Sequence, residues 1–264
     1  MNHLHMKQLF FTIIIFSTIK FYSQSTLTSL NFGKKNDFHS TKLVSETIRN
    51  TTFYNSNNTI EQTKEITSYN AQNNVLAELR YDGENNLKQR LIRMYDSTGT
   101  KCTMRKFENW HRYVGHTIEI ASYGFDSNGY LISIIDKDQN GKIFRKTEII
   151  NNEKGDPIEM KGFIGDEIVG IEKSKYNYAE NEVIIEYYNK NNNFISSQTS
   201  NIDSSKRDPD DIINEYGDVI KSNTYEMEFK YDKFGNWIKK KYSIIKNGIL
   251  IKKSETSRII KYIN

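Results

Sequence analysis

The chain has 264 residues, 37 Lys/Arg against 33 Asp/Glu, 17 Tyr, two Pro and one Cys. A single Cys excludes an internal disulfide as the staple of the fold. Modest aliphatic content beside abundant Tyr, Asn, Lys and Ile excludes a thick two-layer core and suits many exposed strands joined by Asn/Gly turns.

The N-terminus reads as an export signal, with an uncleaved, buried or interfacial segment as the plainer alternative. Lys7 supplies the positive flank, Leu9 to Phe16 is almost continuously apolar, and Ser23-Gln24 is a plausible cut. The apolar run is shorter than the roughly 20 residues that span a bilayer. No Cys follows it, which excludes a lipoprotein anchor. The expected organisation is a signal peptide over residues 1–23, an N-terminal segment over 24–48 that is poorly ordered or a first strand, and a β-repeat domain over 49–264. The expected address is periplasmic or extracellular, with no transmembrane span in the mature chain.

From residue 55 onward one turn pattern recurs. Asn55, Asn70, Asp82, Asp96, Asp126, Asp138, Asn152, Asn189, Asn214 and Asp232 each have Gly or Asn three residues later, and Asn177 is a weaker copy with Glu180 at that place. An Asp or Asn opening a turn accepts hydrogen bonds from backbone N–H groups just downstream, and Gly or Asn tolerates the left-handed conformation that closes a type I turn with a bulge. An aromatic often precedes the opener (Tyr54, Tyr69, Tyr81, Tyr95, Phe125, Tyr176, Tyr188, Tyr231) and should face the apolar residue after the turn. Asn70, Asp96, Asp126, Asn152 and Asn177 form one series, with Asp82, Asp138 and Asn189 interleaved, so the unit is two strands and two turns. The two series should lie at opposite ends of the strands. Gly165-Asp166 and Asn247-Gly248 read as two-residue hairpin loops. The fold class expected is all-β: a long antiparallel up-and-down meander of about 12–14 short strands in one strongly twisted, curling sheet.

The pattern lapses twice, over Phe107–His116 and Ser200–Tyr216, and irregular stretches in a regular array are where binding surfaces concentrate. Trp110, His111, Tyr113 and His116 are the expected partner contacts; the histidine pair could contribute to a metal site, but no acid or thiol is placed beside it, and an ordinary polar loop or bulged strand is the reading kept. In the second lapse Asp208, Asp210 and Asp211 could hold a cation, against the plainer reading of a solvated loop. Asp136 to Ile143 mimics the start of a calcium loop, but position 12 would be Thr147, and Lys137, Lys142 and Arg145 crowd it, so a turn is the reading kept. Cys102 has no His or acid placed beside it and reads as inert. Residues 230–264 carry ten Lys/Arg against Asp232 and Glu255. Such a strip could meet a phosphate, an anionic glycan or a membrane surface; the reading kept is lysines guarding the sheet's last, edge strands.

The segment Phe229-Lys230-Tyr231-Asp232-Lys233-Phe234-Gly235-Asn236-Trp237 resembles the YD repeat of RHS-like proteins, and Tyr81-Asp82 and Tyr95-Asp96 carry the dipeptide too. The weaker copies extend the resemblance over roughly residues 50–240. It implies a turn-and-strand unit and a secreted or surface role; RHS-like proteins wind such repeats into shells around a toxin, and some are described as carbohydrate-binding. This chain is far shorter, with no toxin domain expected after its last repeat, and no functional residue carries over.

The function expected is a non-catalytic binding or scaffold surface for a glycan or protein partner, with no catalytic residue, cofactor or metal assigned and no nucleic acid expected. The alternatives are a hydrolase or toxin-related enzyme with a cross-strand carboxylate/His site, and a neutraliser or chaperone of a co-encoded effector.

Overall fold

The computed structural model describes residues 26, 38–39, 41–57, 59–203 and 210–263. The signal-like start with its cut site, Asn58, and residues 204–209 with Asp208 lie outside the described residues. The structure is all-β, and its strands form one sheet: β1 (Val44–Tyr54), β2 (Ile60–Tyr69), β3 (Val75–Tyr81), β4 (Leu87–Tyr95), β5 (Cys102–His111), β6 (Gly115–Phe125), β7 (Leu131–Asp138), β8 (Ile143–Asn151), β9 (Pro157–Ile164), β10 (Glu167–Asn177), β11 (Glu182–Tyr188), β12 (Phe194–Asn201), β13 (Ile212–Ile213), β14 (Val219–Lys221), β15 (Tyr225–Tyr231), β16 (Trp237–Lys246) and β17 (Ile249–Tyr262). Seventeen strands replace the expected dozen to fourteen because both lapses still carry ladders. β5 and β6 pair without interruption from Met104↔Ser122 to His111↔Gly115, and β13 pairs β14.

The turns have the chemistry their sequence demands. At Asp82 the backbone N–H of Asn85 donates to the Asp82 carbonyl at 3.0 Å, while Oδ1 of Asp82 accepts the N–H groups of Glu84 and Asn86. The closing residue is left-handed at every described copy of the main series, from Asn73 at φ 58° to Gly155 at φ 84°. In the weak copy the left-handed residue is Asn181, one place beyond Glu180, so that turn is a residue longer. The aromatic before each turn faces the apolar residue after it, as in Tyr69↔Val75, Tyr81↔Leu87 and Tyr231↔Trp237.

All ladders are antiparallel. They run β1 to β12 in sequence and β13 to β17 in sequence, and β17 then pairs β1 from Val44↔Tyr262 to Phe53↔Ser254. Among the described residues no ladder joins β12 to β13, which are therefore the two edges of an open sheet. This overturns the edge-guard reading of the basic strip: β16 and β17 lie well inside the sheet, because the last strand is claimed by the first. Laid flat, sixteen strand spacings of about 4.8 Å would hold the edges roughly 77 Å apart. The chain between Asn201 and Ile212 reaches at most about 40 Å. The sheet must therefore curl.

One face is buried. Ile134, Thr147, Ile149, Met160, Val183 and Ile185 lie on it, and Ala121, Ile134, Ile149 and Met160 form its core cluster with Tyr123 and Leu131 packed alongside. Residues of the N-terminal segment sit against it. The Thr26 N–H and hydroxyl donate to Oε2 of buried Glu172 at 2.9 and 3.0 Å, and the Phe38 ring meets Tyr69 edge-on at 5.4 Å. Arginines pair with acids on this face: Arg105 with Glu119 and Arg145 with Asp136, both at 2.7 Å. A planar fork suits such sites better than an ammonium. Lysine–acid pairs stand on the outer face at Lys146–Glu148 and Lys161–Glu159. Charges at these mid-strand positions do not fit a lipid-facing band.

Candidate functional site

The β5–β6 hairpin assembles a charged and aromatic cluster on the outer face. Alternation along β5 puts Lys106, Glu108 and Trp110 on one side. The ladders set Arg90 of β4 opposite Glu108 and His116 of β6 opposite Trp110. The Trp110 and His116 rings stack at 4.6 Å with 14° between their planes, and the Arg90 guanidinium lies 5.8 Å from the Trp110 ring centre. Nε of Arg90 donates to Oε2 of Glu108, Lys106 Nζ lies 3.1 Å from Oε1, and His116 Nε2 lies 3.6 Å from the same oxygen. The Glu108 side chain is only 3% exposed. Arg90, then Lys106, hold its carboxyl below the usual carboxylate range against the opposing effect of burial. A carboxylate so held cannot serve as a proton donor near neutral pH. What the cluster offers is a fixed, net positive surface of one indole, one imidazole and two cations around one acid.

The expected contact residues divide. Trp110 and His116 come together. His111 falls on the opposite face by strand parity, where the Asn109 side-chain amide and His111 Nε2 are 2.6 Å apart. The two histidines therefore do not converge. Tyr113 stands at the hairpin tip, 91% exposed, in a three-residue loop closed by Gly115 at φ 81°. Sequence reading missed Arg90, Lys106 and Glu108. The i, i+2 spacing of 106, 108 and 110 was a usable signal; the contribution of Arg90 needed the register.

The other candidates resolve into structure. Asp136 binds Arg145 on the buried face, while Oδ1 of Asp138 accepts the N–H groups of Asn140 and Lys142, so the two carboxylates of the calcium-like stretch point to different tasks. The half-buried Cys102 donates to the Met104 carbonyl, and burial pushes its thiol up, as expected of an inert thiol. A contact absent from any local motif joins His39 to Asp218 at 3.1 Å, and the same Asp218 oxygen accepts the Tyr231 hydroxyl at 2.7 Å. Burial, then Asp218, raise the pKa of that phenol, which makes it a clip and not a nucleophile.

No protein-family profile and no curated protein sequence matches the chain. Among solved structures it is similar to a porin-like protein from Bacteroides uniformis, with a TM-score of 0.44 and 12% identity over 83% of this chain and 96% of that one. It is also similar to two TcdB2-TccC3 structures, with TM-scores of 0.24 and 0.27 and 11% identity, of which it spans only 11% and 15%. At TM-scores below 0.5 these likenesses carry no weight for fold or function.

Proposed function

We propose that this chain is an exported, non-catalytic β-repeat protein that presents the β5–β6 hairpin to a glycan or protein partner. The observation that carries the reading is the pairing of a rigid base with an exposed tip. Trp110 is held between His116 and Arg90 over a fully paired Glu108, and Tyr113 projects from the loop it supports. Rigid aromatic and arginine side chains are the usual anchors of binding surfaces, because they lose little conformational entropy on contact. The acid in the cluster serves the architecture: it fixes three neighbouring cationic or ionisable groups.

Screening the folded chain on a glycan array and by pull-down from its native secretions tests the reading. A ligand captured by the wild type should bind Trp110→Ala and Tyr113→Ala at least tenfold more weakly, with the fold intact by circular dichroism. Capture indifferent to both substitutions, or catalytic turnover of a substrate, would defeat it.

A further inference from the structure

The two ends of the strands differ. At one end, where the turns opened by Asn70, Asp96, Asp126, Asn152, Asn214 and Asp232 lie, neighbouring turns are tied to one another. The Asn70 amide donates to the Gly99 carbonyl at 2.7 Å, and the Tyr130 hydroxyl to the Glu153 carbonyl. Tyr178 and Tyr231 each accept from the opening Asn and donate to the closing Asp of the turn before. The position five residues after the opener is half-buried there at Val75 and Leu131 and buried at Pro157 and Trp237.

The opposite end carries the turns at Asn55, Asp82, Arg112–Val114, Asp138, Gly165, Asn189 and Asn247. The β14–β15 turn, Ser222–Thr224, lies at this end too, where the Ile245 N–H donates to the Thr224 carbonyl at 2.8 Å and Lys252 Nζ donates to the Tyr54 hydroxyl at 3.0 Å. From the Asp82 turn to the Asn189 turn, however, no hydrogen bond among the described residues links one turn to the next. Apart from half-buried Leu87, the matching apolar positions are exposed: Ile60 63%, Ile143 52% and Phe194 59%, with Ile164 54%, Ile249 66% and Tyr113 91% on the same rim. Those six side chains leave on the order of 600 Å² of apolar surface in water, before polar turn atoms are counted, where a stable interface takes about 800 Å² per partner.

The charges on this rim alternate by turn. Around ten consecutive strands the order is Asp82, which Lys88 pairs at 2.8 Å, with Glu84, then Arg112, then the balanced Asp138–Lys142 turn, then Asp166 and Glu167, then Lys190. Successive turns on the rim are two strands apart. A two-fold axis through the Asp138–Lys142 turn therefore sets Arg112 against the Asp166/Glu167 turn of a second copy, and the Asp82/Glu84 turn against its Lys190. A rim with acids at these turns is repelled by anionic lipid, while its own image is complementary to it.

We propose that the untied rim is an isologous interface and that two copies of this chain dock end to end about the Asp138–Lys142 turn. The inference rests on the functional reading only in taking this rim as partner-facing. Light scattering with size exclusion and sedimentation velocity should give the mass of two chains for the wild type. Arg112→Glu, and separately Asp166→Lys with Glu167→Lys, should each raise the dissociation constant about tenfold or more, and the three substitutions together should restore the dimer. As a second measure, Asn140→Cys in a Cys102→Ser background should give cross-linked dimers with a short bismaleimide, since residue 140 lies beside the axis. A monomer at all loadings, a monomer that binds anionic vesicles, a dimer insensitive to both reversals, or failure of the combined reversal to restore it would each overturn the inference. A monomer that still binds a ligand through Trp110 would end the dimer and leave the functional reading standing. A dimer without Trp110-dependent binding would do the reverse.

Discussion

Gly141 and Gly155 occupy the same position of the repeated turn, at φ 79° and 84°, but at opposite ends of the strands. Replacing either with Ala forces a Cβ into the left-handed region at a cost of about 1–2 kcal/mol. At Gly141 the added carbon meets nothing within 4 Å, so that conformational cost is the whole effect. At Gly155 it would sit 2.4 Å from Cδ1 and 2.5 Å from Cε1 of Tyr130. The ring would have to swing away, and its hydroxyl would lose the Glu153 carbonyl that ties this turn to its neighbour. A lost hydrogen bond adds about 1 kcal/mol and the disturbed ring a similar amount, for a total of roughly 3 kcal/mol. Gly141→Asn should cost only a few tenths of a kcal/mol, because Asn tolerates this conformation, and Asn73, Asn85 and Asn192 already hold it at φ 58–65°. Equilibrium urea unfolding gives the comparison directly. In a thermal melt each kcal/mol should appear as about 2–4 °C in a domain of this size. Equal losses at the two glycines, or a Gly141→Asn variant as weak as Gly141→Ala, would refute both the turn assignment and the division into a tied and an untied end.

Tyr231→Phe removes a hydroxyl that accepts from Asn214 at 2.6 Å and donates to Asp218 at 2.7 Å while leaving its ring stacked on Tyr216; the expected loss is about 1–2 kcal/mol, read by urea unfolding. The His39–Asp218 contact at 3.1 Å should loosen with it, seen as a change in the His39 ring signals in an NMR spectrum. Glu172 predicts a pH dependence of definite sign. Burial raises its carboxyl above the ordinary value of 4.5, opposed by the Thr26 hydrogen bonds, and Oε1 has no hydrogen-bond partner among the described residues. The folded state therefore keeps this proton to higher pH than the unfolded chain. The resulting stability is full below 4.5 and is lost as pH rises through the raised value. The ionisable group facing it across the β10–β11 ladder is Tyr187, whose pKa is itself pushed up to about 12, by burial first and then by Glu172. Glu172→Gln should match the wild type near pH 4 and exceed it by about 1 kcal/mol near pH 8. A difference that does not change with pH would contradict the buried-carboxylate assignment.

Much of the candidate site was legible as a region and little of it as a geometry. The lapse in turn spacing at Phe107–His116 pointed to the hairpin, and of the aromatics in it the structure stacks Trp110 and exposes Tyr113. The lapse itself was misread as irregular backbone, since β5 and β6 pair residue for residue up to a short loop. Loops of two or three residues simply do not need the Asp/Asn–Gly/Asn spacing, so its absence signalled a different turn and not a break. Strand parity could have separated His111 from Trp110 and His116 once the region was taken as a strand.

The amino-acid sequence alone determined the local corners. An opener's carboxylate or amide, a left-handed Gly or Asn three places on and an aromatic before them interact within a few residues, so their geometry needs no distant partner. Only the tertiary structure decided that the last strand pairs the first, that the lysine-rich strands lie inside the sheet, and that Thr26 lodges on Glu172 or His39 on Asp218 across more than a hundred residues. Those contacts depend on the summed curl and register of many ladders, and one residue of slip at any of them would turn the same side chains to the other face.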